Sequence, residues 1–175
     1  SCHTTNHSEG ALLPIGLKAR HLNHSNTHYG ENQLLRLQKN GQLKGLPNLE
    51  QAPQLVDFSD QSESLEARAR AYLDINCAHC HNQKGSADTS ALLLEYTDLE
   101  PRSYGRCKPP IATGRGSGGL LYSIVPGQAH ESIMSFRLSS RDPAEMMPEI
   151  GRTLVHKEGV TLIDKWINSM TGRCV

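Results

Sequence analysis

The sequence predicts a mainly α-helical domain over residues 60–175, preceded by a mostly irregular arm over residues 1–59. Two amphipathic stripes, at residues 65–76 and 158–170, predict helices that need each other to bury their apolar faces. Between them, residues 82–130 form a long stretch without clear periodicity, and a loop of that length usually wraps something functional. Apolar residues make up 37% of the chain and aromatic residues 5%, which is lean for a core of this size. A large apolar group bound inside the domain would make up part of that deficit.

The arm contains few periodic segments. A short helix is expected at residues 32–40, where three leucines recur, and Gly41 is a natural stop. The proline-punctuated connector that follows, at residues 46–58, keeps apolar anchors. We therefore expect this connector to lie over the main domain.

The main domain is expected to begin with a capped helix. Asp60 or Ser62 can cap its N-terminus, and Glu63 stands where a capping box would place a carboxylate after Asp60. Two apolar segments further along, at residues 92–94 and 120–125, are candidates for short strands. A third segment, at residues 132–138, is a candidate for a short helix.

The predicted helix leads directly into Cys77-Ala78-His79-Cys80-His81, whose C-x-x-C-H spacing is typical of covalent attachment of a c-type haem. Two thiols three positions apart lie on neighbouring faces of one helical turn, where they can add to the two vinyl groups on one edge of a haem. The histidine that follows then points its imidazole at the iron as the proximal ligand. A zinc site would need a second close pair, but Cys2, Cys107 and Cys174 are solitary. A thioredoxin-like dithiol would follow a buried strand, whereas the flanks here look helical.

A second iron ligand is expected in a loop between two prolines, Pro143 and Pro148, which holds Met146 and Met147. A thioether is a soft ligand that binds iron in electron-transfer cytochromes and raises the reduction potential relative to a second histidine. Methionines more often fill a core, but this pair lies in a loop and not on a helix face. The proline after Met147 holds the backbone extended, which favours Met147 over Met146.

Three glycines, Gly114, Gly116 and Gly119, fit the G-x-G-x-x-G spacing of a dinucleotide-binding loop. Such a loop must follow a buried strand and open a helix, and neither is expected here. We interpret the segment as a tight loop whose backbone can lie close to a porphyrin, with Arg115 as a candidate partner of a haem propionate. No nucleophile with its base and no paired carboxylates stand out, so the sequence does not predict an enzyme.

The 18 basic and 18 acidic residues cancel, which gives no electrostatic case for binding nucleic acid or an anionic membrane surface. No apolar run approaches the length needed to span a bilayer. Haem is attached to such motifs outside the cytoplasm, so we expect a periplasmic or extracellular protein, where disulfides are also permitted. Cys107 and Cys174 are a candidate pair, although the sequence leaves their connectivity open.

The order of helix, C-x-x-C-H, long loop, methionine followed by proline, and C-terminal helix resembles a class I c-type cytochrome domain over residues 60–175. Five segments more closely resemble a family of bacterial diheme c-type cytochromes: residues 55–57, 65–73, 76–81, 114–119 and 146–160. The resemblance implies a helical domain wrapped around haem c, with Cys77 and Cys80 as thioether sites. It also implies His81 as the proximal and Met147 as the distal iron ligand.

The same family carries an earlier C-x-x-C-H, and Ser1-Cys2-His3-Thr4 resembles the tail of such a motif. The resemblance therefore implies a second haem bound through Cys2 and His3. Its distal ligand is open between His21, His24 and His28, which follow an apolar patch, and a histidine of a neighbouring chain. The alternative is that Cys2 is a free or disulfide-bonded cysteine at a frayed terminus.

The main expectation is an electron-transfer cytochrome that acts with a redox partner protein. Two alternatives remain open. One is a haem subunit or domain of a redox enzyme, such as a diheme peroxidase or the electron acceptor of a dehydrogenase, and the first of these would need an open sixth position on the iron. The other is a subunit that self-associates into a conducting assembly of stacked haems.

Overall fold

The computed structural model describes residues 3–5, 8–26, 28–111 and 113–175, with only the backbone of Asn26. The described part of the chain is mainly α-helical, in agreement with the expected class. Its helices and strands are α1 (Ala19–Leu22), β1 (Ser25–Asn26), β2 (Glu31–Asn32), α2 (Gln33–Lys39), α3 (Leu65–Asn76), α4 (Ile133–Ser139) and α5 (Lys157–Ser169). Short 3-10 helices lie at Leu49–Gln51, Asp88–Ser90, Gly114–Ser117 and Ala129–Glu131.

The core forms where α3 packs against α5, as the two stripes predict. Leu73 of α3 meets Ile163, Trp166 and Ile167 of α5 in one buried cluster, to which α4 adds Met134. Each fully buried side chain of this size stabilises the fold by about 1.5–3 kcal/mol through burial. The same contact fixes the end of α3, from which residues 77–81 continue.

The cap of α3 differs from the expected one. Ser64 is the cap, because its Oγ accepts a hydrogen bond from the backbone N–H of Ala67 at 3.2 Å. The carboxylate of Asp60 instead accepts from the backbone N–H and the hydroxyl of Ser62, which closes a tight turn just before the helix. The predicted caps at Asp60 and Ser62, and the capping box at Glu63, are therefore wrong. The carboxylate oxygen of Asp60 that a capping box would require instead accepts the hydrogen bonds of this local turn.

The arm is joined to the main domain through Asp74 of α3, whose side chain is fully buried. The guanidinium of Arg20 donates to both carboxylate oxygens at 3.0 and 2.9 Å, and the backbone N–H of Tyr96 donates at 2.7 Å. Nε2 of His21 lies 2.5 Å from the same carboxylate. The backbone N–H of Leu55 donates to the carbonyl of Arg20, so the connector also lies against this part of the arm.

The candidate strands at residues 92–94 and 120–125 do not form. Residues 122–124 are held instead by single bridges: Ile124 pairs with Arg106, and Tyr122 pairs with Ser132. The glycine segment forms the 3-10 helix at Gly114–Ser117, and Cys107–Ile111 before it form no strand, which agrees with the rejection of a dinucleotide-binding loop. Its glycines make room for α4. A Cβ on Gly116 would lie 2.9 Å from the guanidinium carbon of Arg137.

Cys107 and Cys174 form a disulfide, which the sequence had left open. The bond ties the long loop to the end of the chain after α5. In the parts of the chain that the structure describes, no helix combines the length and the apolar character needed to cross a lipid bilayer.

Candidate functional site

The C-x-x-C-H motif continues α3 by one further turn. The backbone N–H of Cys77 donates to the carbonyl of Leu73 at 2.9 Å, and the N–H of His81 donates to the carbonyl of Cys77 at 3.0 Å. Ala78 points into the core and is fully buried. The turn therefore presents Cys77, Cys80 and His81 on the wall of one cavity.

The chain after the motif is folded tightly back against it. Asn82 donates from Nδ2 to the carbonyl of Ala78 at 2.7 Å, and the N–H of Ala87 donates to the carbonyl of Cys80 at 3.1 Å. A Cβ on Gly85 would lie 2.2 Å from that same carbonyl oxygen, which is closer than any real Cβ contact. Glycine at position 85 is thus required by close approach of backbone to backbone.

The cavity has a volume of about 360 Å³, within the range of cofactor and ligand sites. The motif forms one wall. The other walls come from distant parts of the chain, chiefly α4, the long loop and the methionine–proline loop, and include Pro110, Ile111, Ile133, Met134, Met147 and Ile150. An apolar lining with sulfur and imidazole donors on its walls has the chemistry that a porphyrin iron requires.

The imidazole of His81 is held in its neutral form. Burial lowers the pKa of His81 to about 4, and a hydrogen bond to the backbone of Leu92 offsets only part of that effect. Nδ1 of His81 lies 3.4 Å from the hydroxyl of Ser90. A ring nitrogen engaged in this way fixes the orientation of a histidine whose other nitrogen binds a metal.

Cys77 opens onto the cavity but lies deep in the protein. Burial, with a smaller effect of the neighbouring Cys80, raises the pKa of the Cys77 thiol to about 12. The thiol therefore stays protonated at neutral pH. It is inert toward ordinary oxidants, which attack the thiolate, but it retains the S–H bond that adds across a vinyl group.

Of the two methionines in the proline-flanked loop, Met147 lines the cavity and Met146 does not. The backbone N–H of Met147 donates to the carbonyl of Arg137 at 3.0 Å, which ties this loop to α4. Met134 of α4 also lines the cavity and is 8% exposed. Met134 could not be singled out from the sequence, because a methionine inside a short helix is typical of a core.

Two cations line the cavity, the buried Lys108 and the half-buried Arg137, and neither is expected from the sequence. Burial lowers the pKa of both groups, with a further lowering of Lys108 by Arg102. Arg137 reaches Glu149 at 3.6 Å. Arg115, the cation expected near a propionate, lies outside the cavity; its side chain is 69% exposed and pairs with Asp142 and Glu145 at 3.0 and 3.3 Å.

The residues expected to serve a second haem lie in the arm. Cys2 is outside the described residues. His3 is exposed, and its carbonyl accepts a hydrogen bond from the backbone N–H of Leu13. His21 is bound to Asp74, the carbonyl of His24 accepts from Gln33, and the ring of His28 packs edge-on against Tyr29.

A second cavity, of about 730 Å³, lies between the arm and the main domain. The arm lines it with residues 13–16 and Lys18, and the main domain with His79 and two segments around residues 82–84 and 93–100. His79 lines the first cavity as well, so this residue of the motif stands between the two. Burial and the charges of Lys18 and His3 lower the pKa of His79, which also indicates that His3 is near.

The described residues contain no group of three or more histidine, cysteine or acidic side chains that could enclose a bare metal ion. The donors around the first cavity fit an iron that is already held in a porphyrin, because they comprise two thiols for covalent attachment, an imidazole and a thioether. Comparisons of this chain with protein-family models, with curated proteins and with solved structures found no match.

Proposed function

We propose that this protein is an electron-transfer c-type cytochrome of the class I type. In this proposal a haem is attached to Cys77 and Cys80 in the first cavity, with His81 as proximal and Met147 as distal iron ligand. The observation that carries the proposal is that Met147, distant in the sequence, lines the same apolar cavity as Cys77, Cys80 and His81. When bound, the haem supplies an iron that changes by one electron between its ferrous and ferric states.

Different residues of the cavity would bind different parts of the haem. The thiols of Cys77 and Cys80 add across the two vinyl groups, each S–H bond giving its sulfur to one carbon and its hydrogen to the other. The neutral ring of His81 is already oriented by Ser90 and Leu92. The loop that presents the thioether of Met147 is held in place because the backbone N–H of Met147 donates to the carbonyl of Arg137.

Lys108 and Arg137 are the candidate partners of the haem propionates. Lys108 is buried and Arg137 is half-buried in a mostly apolar wall, where a charge is costly unless it is well paired. Two carboxylates brought in by the ligand would offset that cost with charge-assisted hydrogen bonds. This assignment replaces the expected role of Arg115, which already has two carboxylate partners at the surface.

Electron transfer is favoured over catalysis because the cavity wall carries two side chains that would ligate the iron, His81 and Met147. A peroxidase would need one of the two axial positions of the iron open. Two apolar side chains on the cavity wall remain accessible, Ile111 at 49% and Ile150 at 65% exposure. We expect this rim to be where a redox partner protein approaches the haem edge.

A periplasmic or extracellular location is part of the proposal. The disulfide between Cys107 and Cys174 supports it, because disulfides persist in oxidising compartments. Covalent haem attachment to a C-x-x-C-H motif takes place in the same compartments.

The test replaces each methionine in turn in protein produced with haem-attachment machinery. Met147→Ala should open the sixth position, so that the reduced protein binds CO, whereas the unaltered protein should not. Met147→His should keep the iron six-coordinate but lower the reduction potential by roughly 0.1 V or more, within the roughly 0.8 V that axial ligands span. Absorption spectra and a redox titration read out both effects.

Met146→Ala is the matched control, because this methionine is adjacent in sequence but does not line the cavity. Met134→Leu is the second control, since leucine preserves the packing but cannot ligate iron. If Met134→Leu opens the sixth position and Met147→Ala does not, Met134 is the ligand. If the unaltered protein binds CO at this haem, the His81–Met147 site is wrong, and if purified protein carries no haem, the whole proposal fails.

A further inference from the structure

We propose that the surface around the disulfide between Cys107 and Cys174 is where the redox partner docks, and that the partner presents acidic side chains to it. This inference rests on the proposed function, because it assumes a haem in the first cavity. It adds the chemistry of the partner to the apolar rim described above. The inference depends on three arginines that surround the disulfide, which we call the basic patch: Arg102, Arg106 and Arg173.

The disulfide brings these arginines together from two distant parts of the chain. Arg106 precedes Cys107 and Arg173 precedes Cys174, and the Cα atoms of the two cysteines lie 5.2 Å apart. The guanidinium of Arg102 donates to the carbonyl of Cys107 at 3.4 Å. Arg102 and Arg173 are exposed and Arg106 is half-buried, so the basic patch faces solvent.

The positive charge of the basic patch is not neutralised by the residues that the structure describes. None of its arginines forms an ion pair with a carboxylate among them, whereas Arg20 and Arg115 do. Backbone carbonyls accept the hydrogen bonds of Arg102 and Arg106, which satisfies the donors but leaves the full charge. The carboxylate of Glu100 accepts from the backbone N–H of Arg102 at 3.4 Å and not from its guanidinium.

A further cation lies behind the basic patch. Arg70 of α3 is buried, and its guanidinium carbon stands 4.6 Å from the centre of the Tyr104 ring. Its Nη2 donates to the backbone carbonyl of Glu95 at 2.8 Å. Burial and the charge of Glu66 raise the pKa of Tyr104, while the charges of Arg70 and Arg106 lower it, so both arginines lie close to this ring. Arg70 therefore adds to the positive potential of the surface.

Lys108 connects the basic patch to the haem cavity. It follows Cys107 in the sequence and lines the first cavity. Burial and the charge of Arg102 lower its pKa, which indicates that Arg102 is near. Ile111, three residues further on, is 49% exposed at the rim of the same cavity. A partner seated on both the rim and the basic patch would combine apolar contact with charge complementarity close to the haem edge.

An acidic protein surface suits the basic patch better than a nucleic acid or a lipid surface. The planar guanidinium of arginine matches a carboxylate with two parallel hydrogen bonds. Nucleic acids and anionic membranes are bound through larger clusters, of about 4–10 basic groups. A smaller patch serves instead to steer a partner of opposite charge, which raises the rate of encounter by about tenfold or more.

The experiment measures how fast the reduced protein, purified with its haem, gives one electron to either of two small oxidants. Ferricyanide is an anion and tris(phenanthroline)cobalt(III) is a cation, and each takes up the electron as the iron goes from ferrous to ferric. The double variant Arg102→Glu with Arg173→Glu should react roughly tenfold more slowly with ferricyanide and faster with the cobalt complex. This holds at an ionic strength of about 10 mM, where charges act over about 30 Å, and should disappear at about 1 M.

Lys157→Glu with Lys165→Glu is the matched control. It changes the net charge by the same amount at two exposed positions of α5 that do not line the first cavity. We expect a much smaller change in both rates. Equal rates in the two double variants would mean that only the net charge matters, which would overturn the docking site.

Polyglutamate serves as a model of the acidic partner surface. It should slow the ferricyanide reaction of the unaltered protein and of the control variant, and leave that of Arg102→Glu with Arg173→Glu unchanged. A DNA duplex at the same concentration of negative charge should slow the reaction less. Stronger inhibition by DNA would show that the patch recognises phosphates, and the acidic protein would then be the wrong partner.

Failure of this inference can be told apart from failure of the proposed function. If the purified protein carries no haem, no electron is transferred and the proposed function fails, whereas calorimetry with polyglutamate still tests the basic patch. If the double variant does not fold, Arg173→Gln removes one exposed charge. It should then lower the ferricyanide rate by a smaller factor, and an unchanged rate would overturn the inference.

Discussion

At the scale of single residues, Arg137 joins α4 to the methionine–proline loop and to the glycine segment. Its Nε donates to the carbonyl of Glu145 at 2.8 Å, and its own carbonyl accepts from the N–H of Met147 at 3.0 Å. Its guanidinium fills the space left by the absent side chain of Gly116. One residue of α4 thus positions the loop of Met147, the proposed distal ligand, and also brings a cation to the cavity.

Arg137→Gln should lower the reduction potential of the haem, because a nearby positive charge disfavours the more positive ferric state. Over about 8 Å and at an effective dielectric constant of about 20, one charge is worth roughly 2 kcal/mol, and part of this is screened. We expect a fall of tens of millivolts in a redox titration. Arg115→Gln should change the potential by much less, since Arg115 is 69% exposed. Equal shifts in the two variants would rule out a special role for Arg137.

Single residues could be predicted from the sequence only where a motif specifies their spacing. Cys77, Cys80 and His81 follow from C-x-x-C-H, and Pro148 favoured Met147, which does line the cavity. Arg137 and Lys108 carry no such signal, because their place in the wall depends on how distant loops cross. Arg115 had the more suggestive context, yet it pairs with Asp142 and Glu145 and does not line the cavity.

At the scale of secondary-structure elements, α3 has two functions. Its C-terminal end carries the motif, and its buried Asp74 holds the arm through Arg20 and His21 while also accepting from the backbone N–H of Tyr96 in the main domain. The carboxylate stands three residues before Cys77. The arm and the motif are therefore anchored to the same turn of one helix, and the arm closes the second cavity from that anchor.

Asp74→Asn should destabilise the protein by about 3 kcal/mol, because removing one partner of a buried ion pair leaves the other uncompensated. Chemical denaturation at neutral pH measures this loss in the free energy of unfolding. Glu95→Gln is the matched control: Glu95 also pairs with Arg20, at 3.4 Å, but is 36% exposed, so its loss should cost at most about 1 kcal/mol. Equal costs would show that the buried carboxylate does not anchor the arm.

The pH dependence of stability provides a further check on the same residue. Burial raises the pKa of Asp74, but the hydrogen bonds from Arg20, Tyr96 and His21 outweigh it and hold the pKa below its ordinary value of 3.8. A group whose pKa is lower in the folded state stabilises the fold in full above its ordinary pKa, and this contribution is lost as the pH falls through the folded value. Asp74→Asn should lose this part of the acid dependence, and Glu95→Gln should keep it.

At the scale of the whole molecule, the helical frame was predictable and the cavity walls were not. The apolar periodicity of α3 and α5 is strong enough to predict both helices and their mutual packing. Residues 82–130 have no period, and their course is set by contacts such as the bridges at residues 106, 122 and 124. The cap at Ser64 shows the same limit on a smaller scale, because the expected caps, Asp60 and Ser62, bond to each other and leave the helix to be capped by Ser64.

The disulfide between Cys107 and Cys174 ties this aperiodic loop to the end of the chain after α5. Lys108 and Pro110, which follow Cys107 in the sequence, line the first cavity. The bond closes a loop with a sequence separation of 67, for which the chain-entropy model gives a stabilisation of about 4 kcal/mol.

The double variant Cys107→Ser with Cys174→Ser should therefore lower the free energy of unfolding by up to about 4 kcal/mol in denaturant titrations. Its redox potential should shift as well, because Lys108 would be held less firmly near the propionates. Reductant should destabilise the unaltered protein and leave the double variant unchanged, and a double variant as stable as the unaltered protein would mean that the core of α3 and α5 holds the loop without the bond.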